Sequence, residues 1–576
     1  MGGPGARAAA RPPHPADRRD RPRRGGARRS LGAPTALASR RPARRRAGSP
    51  RGRGARAGLG SAGATRPGPA GRGARPPPAR RRAQGLGRRG AEARGGTGRA
   101  PAADRGRGPP LPLRTGPQRR GLEAIVDQPL TAPRPGRREL LVFALVCLTS
   151  VVFVRTPATD DITALAVTFG LAWALCLALV GRTGFYRPAT AYLVLFGVFH
   201  GGLLFSIAVR GPDTFSAYDS SWLYSGYTAG AVRLAIAGMV ACTLAATFSA
   251  GPDRGAAPAG VSPQTAGIAA IAGLGVELAG LGVFAGSVAQ AGGLDLVSGG
   301  GYTAFLQANE SEGLLGYGTL LIGIGAILAI IAGGPARAAA WTGFSAYAVV
   351  AFLIGTRGAV LFPLLTLLVV EHRRGHRIRP LWTVIGVPFL LTLIGLVRTT
   401  RLAGPHARAS TLWSAPFDAI AEMGYSLHPS VVVLGWHSAG EPFLHGATLI
   451  AVPVRFIEAL TGWHGGAPAH DPRLFNVEIA DRAGPIGGSP VAEGYHNGGL
   501  LGVVLLLTAI GLVLGLLERR PRTPLGDAFA GIMLLPLLIQ TRNSFAPVPV
   551  QVGIGLLALG LVHALTRWVP VRRRKS

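Results

Sequence analysis

The sequence predicts an all-α, polytopic integral membrane protein with about twelve transmembrane helices, a large outer loop late in the chain and a disordered N-terminal extension. Three observations predict it. Apolar segments of bilayer-spanning length, about 20 residues, follow one another from residue 139 to the C-terminus. A polar interval, residues 398–499, interrupts that succession once. Residues 1–138 hold 35 of the 62 basic residues, six acids and no long apolar run. This partition explains how 48% hydrophobic residues and a mean hydropathy of +0.30 coexist with a net charge of +35.

The extension, residues 1–138, is rich in Arg, Gly, Pro and Ala and cannot bury enough apolar surface to fold. Three readings stay open for it. It is a basic tail for nucleic acid or anionic lipid, a disordered cytoplasmic tail, or translated sequence upstream of a later start such as Val126. No Phe, Tyr or Trp precedes Phe143, so base stacking has no platform and no nucleic-acid partner is expected. No apolar segment in residues 1–30 matches a cleavable signal peptide. Lys575 is the single lysine, a bias that points to a GC-rich bacterial coding sequence. Cys147, Cys176 and Cys242 all lie inside apolar segments and read as small core residues.

The membrane segments come next. Nine precede the polar interval (residues 139–397): Leu140–Val154, Ile162–Val180, Ala191–Val209, Tyr227–Phe248, Ala266–Val288, Leu314–Ala332, Ala338–Ile354, Ala359–Val370 and Leu381–Val397. Three follow it (residues 500–576, with a basic tail): Leu500–Leu517, Ala528–Ile539 and Val548–Val569. The first, eighth and eleventh are short for a span.

Loop charge sets orientation, because basic residues favour the cytoplasmic side. With the N-terminus inside, Arg182, Arg187, Arg254, Arg337, Arg373, Arg374, Arg519, Arg520 and the Arg572–Lys575 tail all fall inside. Both termini are then cytoplasmic. Arg210, Arg357, Arg398, Arg401 and Arg542 fall against this bias, just beyond the outer ends of helices. Any one of them reads as interfacial snorkelling. Together they suit a phosphate or diphosphate held bidentately at the outer leaflet. Within the spans, His200, Arg233 and Glu277 are expected to face the bundle interior, with Arg233 and Glu277 paired.

The polar interval is too long for a connector. Ala447–Leu460 is apolar but carries Pro453, Arg455 and Glu458, and reads as an interfacial or re-entrant helix. Pro416–Tyr425 reads as a second short helix. Trp413, Trp436 and Trp463 suit the membrane–water boundary. The interval closes on Gly487–Gly499, where Glu493, Tyr495, His496 and Asn497 stand between glycines.

HExxH, CxxC, G-x-S-x-G, P-loop and Rossmann patterns are all missing, which gives no support to metalloprotease, serine hydrolase or ATP-driven chemistry. Glu493 and His496 make a single i, i+3 pair, and no metal and no cofactor are expected. What remains is acid/base chemistry beside arginines. Glu493, His496, Glu422, His428 and Asp481 are candidate bases. The competing reading is that Glu493, Tyr495 and Asn497 cap a helix entering at Gly498.

Gly355-Thr356-Arg357-Gly358, between two apolar segments, resembles the G-x-R-G turn of the Wzy-type O-antigen polymerases, which join oligosaccharide repeat units. Ser489 to Gly502 resembles that family's S-x-x-x-E-x-Y-x-N-x-G-x-x-G pattern at the end of its single large outer loop. The resemblance covers roughly residues 140–570 and does not require the extension. It implies polymerisation of polyprenyl-diphosphate-linked units at the outer leaflet of the bacterial inner membrane, without metal or nucleotide sugar. It also carries over Arg357, Glu493, Tyr495 and Asn497 as site positions; His496, Arg210, Arg398, Arg401 and Arg542 are added from their positions alone. Expected partners are the lipid-linked oligosaccharide, membrane lipid, a chain-length regulator and a flippase. An O-antigen ligase-type transferase and a flippase of lipid-linked sugars are the alternatives.

Overall fold

The computed structural model describes residues 161–181, 184–211, 220–250, 258–292, 314–376, 378–403, 412–462 and 471–568. The extension and the segment Leu140–Val154 lie outside them. Every regular element among the described residues is helical. Helices α1 (Ile162–Gly181), α2 (Pro188–Arg210), α3 (Thr228–Ala250), α4 (Pro263–Gln290), α5 (Leu314–Ala332) and α6 (Gly334–Ile354) fall on predicted spans. So do α7 (Arg357–Arg373) and α8 (Pro380–Ala403). The outer interval forms α9 (Ala415–Met423), α10 (His428–Ser438), α11 (Ala447–Thr461) and α12 (Phe475–Ala483). Then come α13 (Pro490–Arg519), α14 (Pro524–Gln540) and α15 (Val548–Trp568).

Eight of these helices are long and apolar enough to cross a membrane: α1 to α6, α13 and α15. Helix α14 and the Leu381–Leu396 part of α8 are apolar but shorter. Helix α7 has 17 residues and charged ends. Among the described residues, length alone therefore does not confirm the predicted count of twelve. Helices α2 and α5 are the most enclosed, whereas α4 and α15 turn most of their surface outward, as lipid-facing helices do.

Without a hydrophobic drive between helices in lipid, close packing needs small residues. The α4–α5 crossing shows this. A Cβ on Gly325 would lie 2.3 Å from the Glu277 nitrogen, and one on Gly273 2.5 Å from the Ala329 nitrogen. Glu277 is buried here, and a Cβ on Gly343 of α6 would meet its Oε1 at 2.6 Å. No ion pair joins it to Arg233 on α3. The predicted pairing fails because the two residues face different helix neighbours. His200 is fully buried as expected, its ring stacked on Phe196.

Charged side chains gather at two ends. At one, Arg373 donates to Asp527 at 2.9 Å and to the Leu517 and Arg520 carbonyls. Arg337 and Trp341 both donate to Glu371, and Arg187 to Glu518. These contacts hold the starts of α2, α6 and α14 beside the ends of α7 and α13. At the other end lie the end of α2, the start of α7, the end of α14 and the outer interval. The alternation read from loop charge is thus the alternation of these helices.

Candidate active site

The G-x-R-G turn is a helix stop followed by a helix start. Gly355 ends α6 at φ +94°, a left-handed position that disfavours a Cβ, and its N–H donates to the Ala351 and Phe352 carbonyls. Arg357 then opens α7. Gly358 lines a narrow cleft with Phe199, Leu361, Glu422, Met423 and Arg542. The start of α7, the residues just after α14 and the end of α9 thereby meet. Arg542 is exposed and Glu422 half-buried. Arg398 and Arg401 sit on α8; their side chains, like that of Arg357, lie outside the described residues. Arg210 donates to Asp418 on α9. His428 stacks on Trp222 with ring centres 4.5 Å apart, and Asp481 is exposed.

The second motif opens α13. Ser489 is its N-cap, accepting from the Ala492 N–H at 3.0 Å, with Pro490 in the first turn. The first helical half therefore starts eight residues before Gly498, and the Glu493 and Asn497 side chains bond to Phe545, Thr448 and the Glu493 carbonyl instead of to N–H groups after Gly499, so the capping alternative does not hold. At Gly498–Gly499 the helix breaks: Gly499 has φ +60° and ψ −148°, backbone that essentially only glycine adopts. The break brings the two halves together, so that a Cβ on Gly502 would lie 2.1 Å from the Gly494 carbonyl oxygen. It also frees the His496 carbonyl, which accepts from the Leu444 N–H. The motif's glycines are what permit the fold-back.

The polar residues before the break are turned inward. Glu493 and His496 are fully buried and Asn497 nearly so, while Tyr495 is half-buried against the Phe443 and His437 rings. Glu493 Oε2 accepts from the Phe545 N–H at 2.6 Å and Oε1 from the Thr448 hydroxyl at 3.2 Å. The Asn497 amide donates to Thr448 Oγ1 at 2.7 Å and to the Glu493 carbonyl at 2.8 Å. One carboxylate thus pins the start of α11 and the loop after α14, which carries Arg542.

His496 leads the other way. Its Nε2 donates to Glu478 Oε2 at 3.0 Å, and its Nδ1 lies 3.0 Å from His437 Nε2. His437 Nδ1 in turn donates to the Glu441 carbonyl at 2.8 Å. Arg482 donates to both oxygens of Glu441 and to Glu478 Oε1, and lies 3.6 Å above the Trp436 ring. The hydrogen bond from Arg482 holds the Glu441 carboxyl below the usual range. Burial alone would raise Glu478, yet hydrogen bonds from His496 and Arg482 leave it lowered too. Glu441, Glu478 and His496 present atoms within 4.8 Å of one another, close enough to share one cation, and Arg482 supplies that charge. Trp436, expected at a membrane boundary, instead packs with Phe475, Val433 and Ala492 in a small core of the loop itself. Trp413 is 84% exposed, and Trp463 lies outside the described residues.

Glu478, Thr448, His437, Arg482 and Glu441 had not been singled out. Only the i, i+4 pair Glu478–Arg482 left a local signal. The others are brought in from across the chain.

Residues Ala447–Leu460 do form a helix, within α11, with Ile450, Phe456, Ile457 and Leu460 exposed along it. Between it and the segment Pro472–Glu478 lies a cavity of about 560 Å³. Apolar residues dominate its wall; Thr448, Glu478, Arg473 and His445 supply the polar groups. His445 is held at φ +50°, unusual for a side-chain-bearing residue. Arg473 is already paired with Glu458 and Asp471.

Comparison with known proteins bears on the whole arrangement. The chain is 28% identical over 163 residues to "Protein CapE" of Staphylococcus aureus, an alignment covering 27% of this chain and 35% of that protein. The chain thus spans about a third of that relative's length. No solved structure matches. The model of the family described as O-antigen polysaccharide polymerase Wzy matches residues 140–564, which take in both motifs, the outer interval and every described helix but the last residues of α15. This multi-pass membrane protein belongs to the O-antigen polysaccharide polymerase Wzy family.

Proposed function

We propose that this chain polymerises polyprenyl-diphosphate-linked oligosaccharide repeat units in surface polysaccharide biosynthesis, at the outer leaflet of a bacterial inner membrane. The observation that carries the reading is the cleft uniting Gly358, Glu422 and Arg542. It brings Arg542 beside Gly358, the residue after Arg357; the crevice itself holds only about 10 Å³, so the diphosphate would lie at its mouth, where guanidiniums bind it in bidentate fashion and stabilise charge as it leaves. Arg398 and Arg401, on α8, extend the set; Arg210 orders α9 through Asp418.

In the proposed reaction an acceptor hydroxyl oxygen bonds to the anomeric carbon of the donor sugar. The bond from that carbon to the diphosphate oxygen breaks, and the electron pair leaves with the diphosphate. The hydroxyl proton passes to Glu493 or His496, with Tyr495 and Asn497 setting their surroundings. Because arginines take the leaving-group charge, the reaction needs no metal in this scheme. Both chain termini are cytoplasmic in it, a flippase supplies the units, and a chain-length regulator is a partner. The membership in the polymerase family supports this reading.

Reconstitution of the purified chain with its lipid-linked unit should give a ladder of products. In cells, Arg357→Ala, Arg542→Ala and Glu493→Gln, each at normal abundance, should leave single lipid-linked units unjoined. Wild-type polymer lengths in all three would defeat the site. Accumulation of long lipid-linked chains on deletion would point instead to a ligase.

A further inference from the structure

We infer that the cavity between α11 and Pro472–Glu478 is the subsite for the acceptor sugar, and that it takes an uncharged one. The inference rests on the polymerase reading and names a part of its site.

Position is the first argument. Two of the polar residues facing the cavity, Thr448 and Glu478, are each hydrogen-bonded to the buried motif: Thr448 to Glu493 and Asn497, Glu478 to His496. A hydroxyl bonded to either is one hydrogen bond from a proposed proton acceptor. On its far side Glu493 accepts from Phe545, three residues beyond Arg542 of the diphosphate cleft. The cavity and the loop that carries Arg542 are therefore both tied to one carboxylate, as acceptor and donor sites must both reach the bond that forms.

Chemistry is the second. At about 560 Å³ the cavity has the size of a small-molecule site. Its wall mixes Ile450, Ala451 and Val454 with a carboxylate, a guanidinium and a hydroxyl. A pyranose ring matches this, with C–H faces for the aliphatic wall and hydroxyls for the polar groups. A polyprenyl tail does not, because it would strip water from Glu478 and Arg473 and return no hydrogen bond.

Charge is the third. Arg473 is paired with Glu458 and Asp471, Arg455 with Asp471, and Arg482 with Glu478. An acidic sugar would find these guanidiniums already engaged, three neighbouring carboxylates, and only the His445 imidazole on the wall to meet it.

The test uses the full chain in nanodiscs. The probes are the host's repeat-unit oligosaccharide freed of lipid, a uronic-acid-terminated oligosaccharide, and polyprenyl diphosphate. Val454→Trp and Ala447→Phe fill the cavity from partly or fully exposed positions, so the fold should bear at least one of them. Each should weaken binding of the neutral oligosaccharide about tenfold or more, the loss of a single good contact set, and leave polyprenyl diphosphate binding unchanged. Wild-type sugar binding in both variants overturns the subsite, as does loss of polyprenyl diphosphate binding instead. Equal binding of the uronic-acid-terminated probe overturns the charge selectivity. If wild-type protein yields no product ladder from lipid-linked units, the polymerase reading falls. If it yields one and both variants match it, that reading stands and the subsite alone falls.

Discussion

Replacing Glu493 by Ala removes the acceptor for the Phe545 N–H and the Thr448 hydroxyl at one stroke. Both partners are close, 2.6 and 3.2 Å, and the carboxylate is fully buried, so water does not replace it. A hydrogen bond contributes about 0.5–3 kcal/mol net, the upper part of that range when the acceptor is charged, and each 1.4 kcal/mol is a factor of about ten in an opening equilibrium. The Phe545 amide should therefore exchange with deuterium roughly 2- to 150-fold faster in Glu493→Ala than in wild type. The assay is hydrogen exchange by mass spectrometry on the peptide spanning residues 541–547, with protein in detergent or nanodiscs. Glu493→Gln keeps a carbonyl acceptor of the same reach and should recover most of the protection. The two variants thus separate holding the loop from handling a proton: Gln should restore the first and not polymer formation. Wild-type exchange at Phe545 in Glu493→Ala would refute the assignment of this carboxylate as the tie between α13 and the loop that carries Arg542.

Two further predictions follow from the same region. Gly499→Ala places a Cβ at φ +60°, 3.2 Å from the Phe443 ring, and should destabilise the fold-back by about 1–3 kcal/mol, read as a lower thermal-unfolding midpoint. The Glu441–Arg482–Glu478 network should be insensitive to pH until acid conditions. Both carboxyls are lowered in the fold, so their contribution is complete above the ordinary carboxylate range and is lost only as pH falls through the lowered values. Fluorescence of Trp436, taken as the difference from Trp436→Phe, should change below about pH 4 as these carboxyls protonate. No change there would mean that another group holds Arg482 in place.

The bilayer's demand for long apolar helices made the spans legible, because length and hydropathy are local properties. Helix α11 was legible for the same reason: its stretch is apolar, and Arg455 and Glu458 within it set it apart from the spans. The two motif turns could be read because glycine marks backbone that other residues avoid, at Gly355 and Gly499. Contacts between distant segments were not legible. Glu277 and Arg233 looked like partners from their order in the chain, but helix packing decides neighbours, and α4 packs on α5. Trp436 looked like a boundary residue until Arg482 was found on its ring. His437 and His496 are far apart in sequence, and no local pattern announces that their rings meet.

The partners of Glu493 are made at very different times during synthesis. Thr448 precedes it, whereas Phe545 emerges only after α13 and α14. Until then the acid lacks its second donor, and the loop bearing Arg542 does not yet exist. The surroundings of Glu493 are therefore completed only after α14 has been made, and a chain truncated after α13 would lack them. Damage at residues 541–545 should then resemble damage to the Ser489–Gly502 motif itself, although helices α13 and α14 separate the two along the chain.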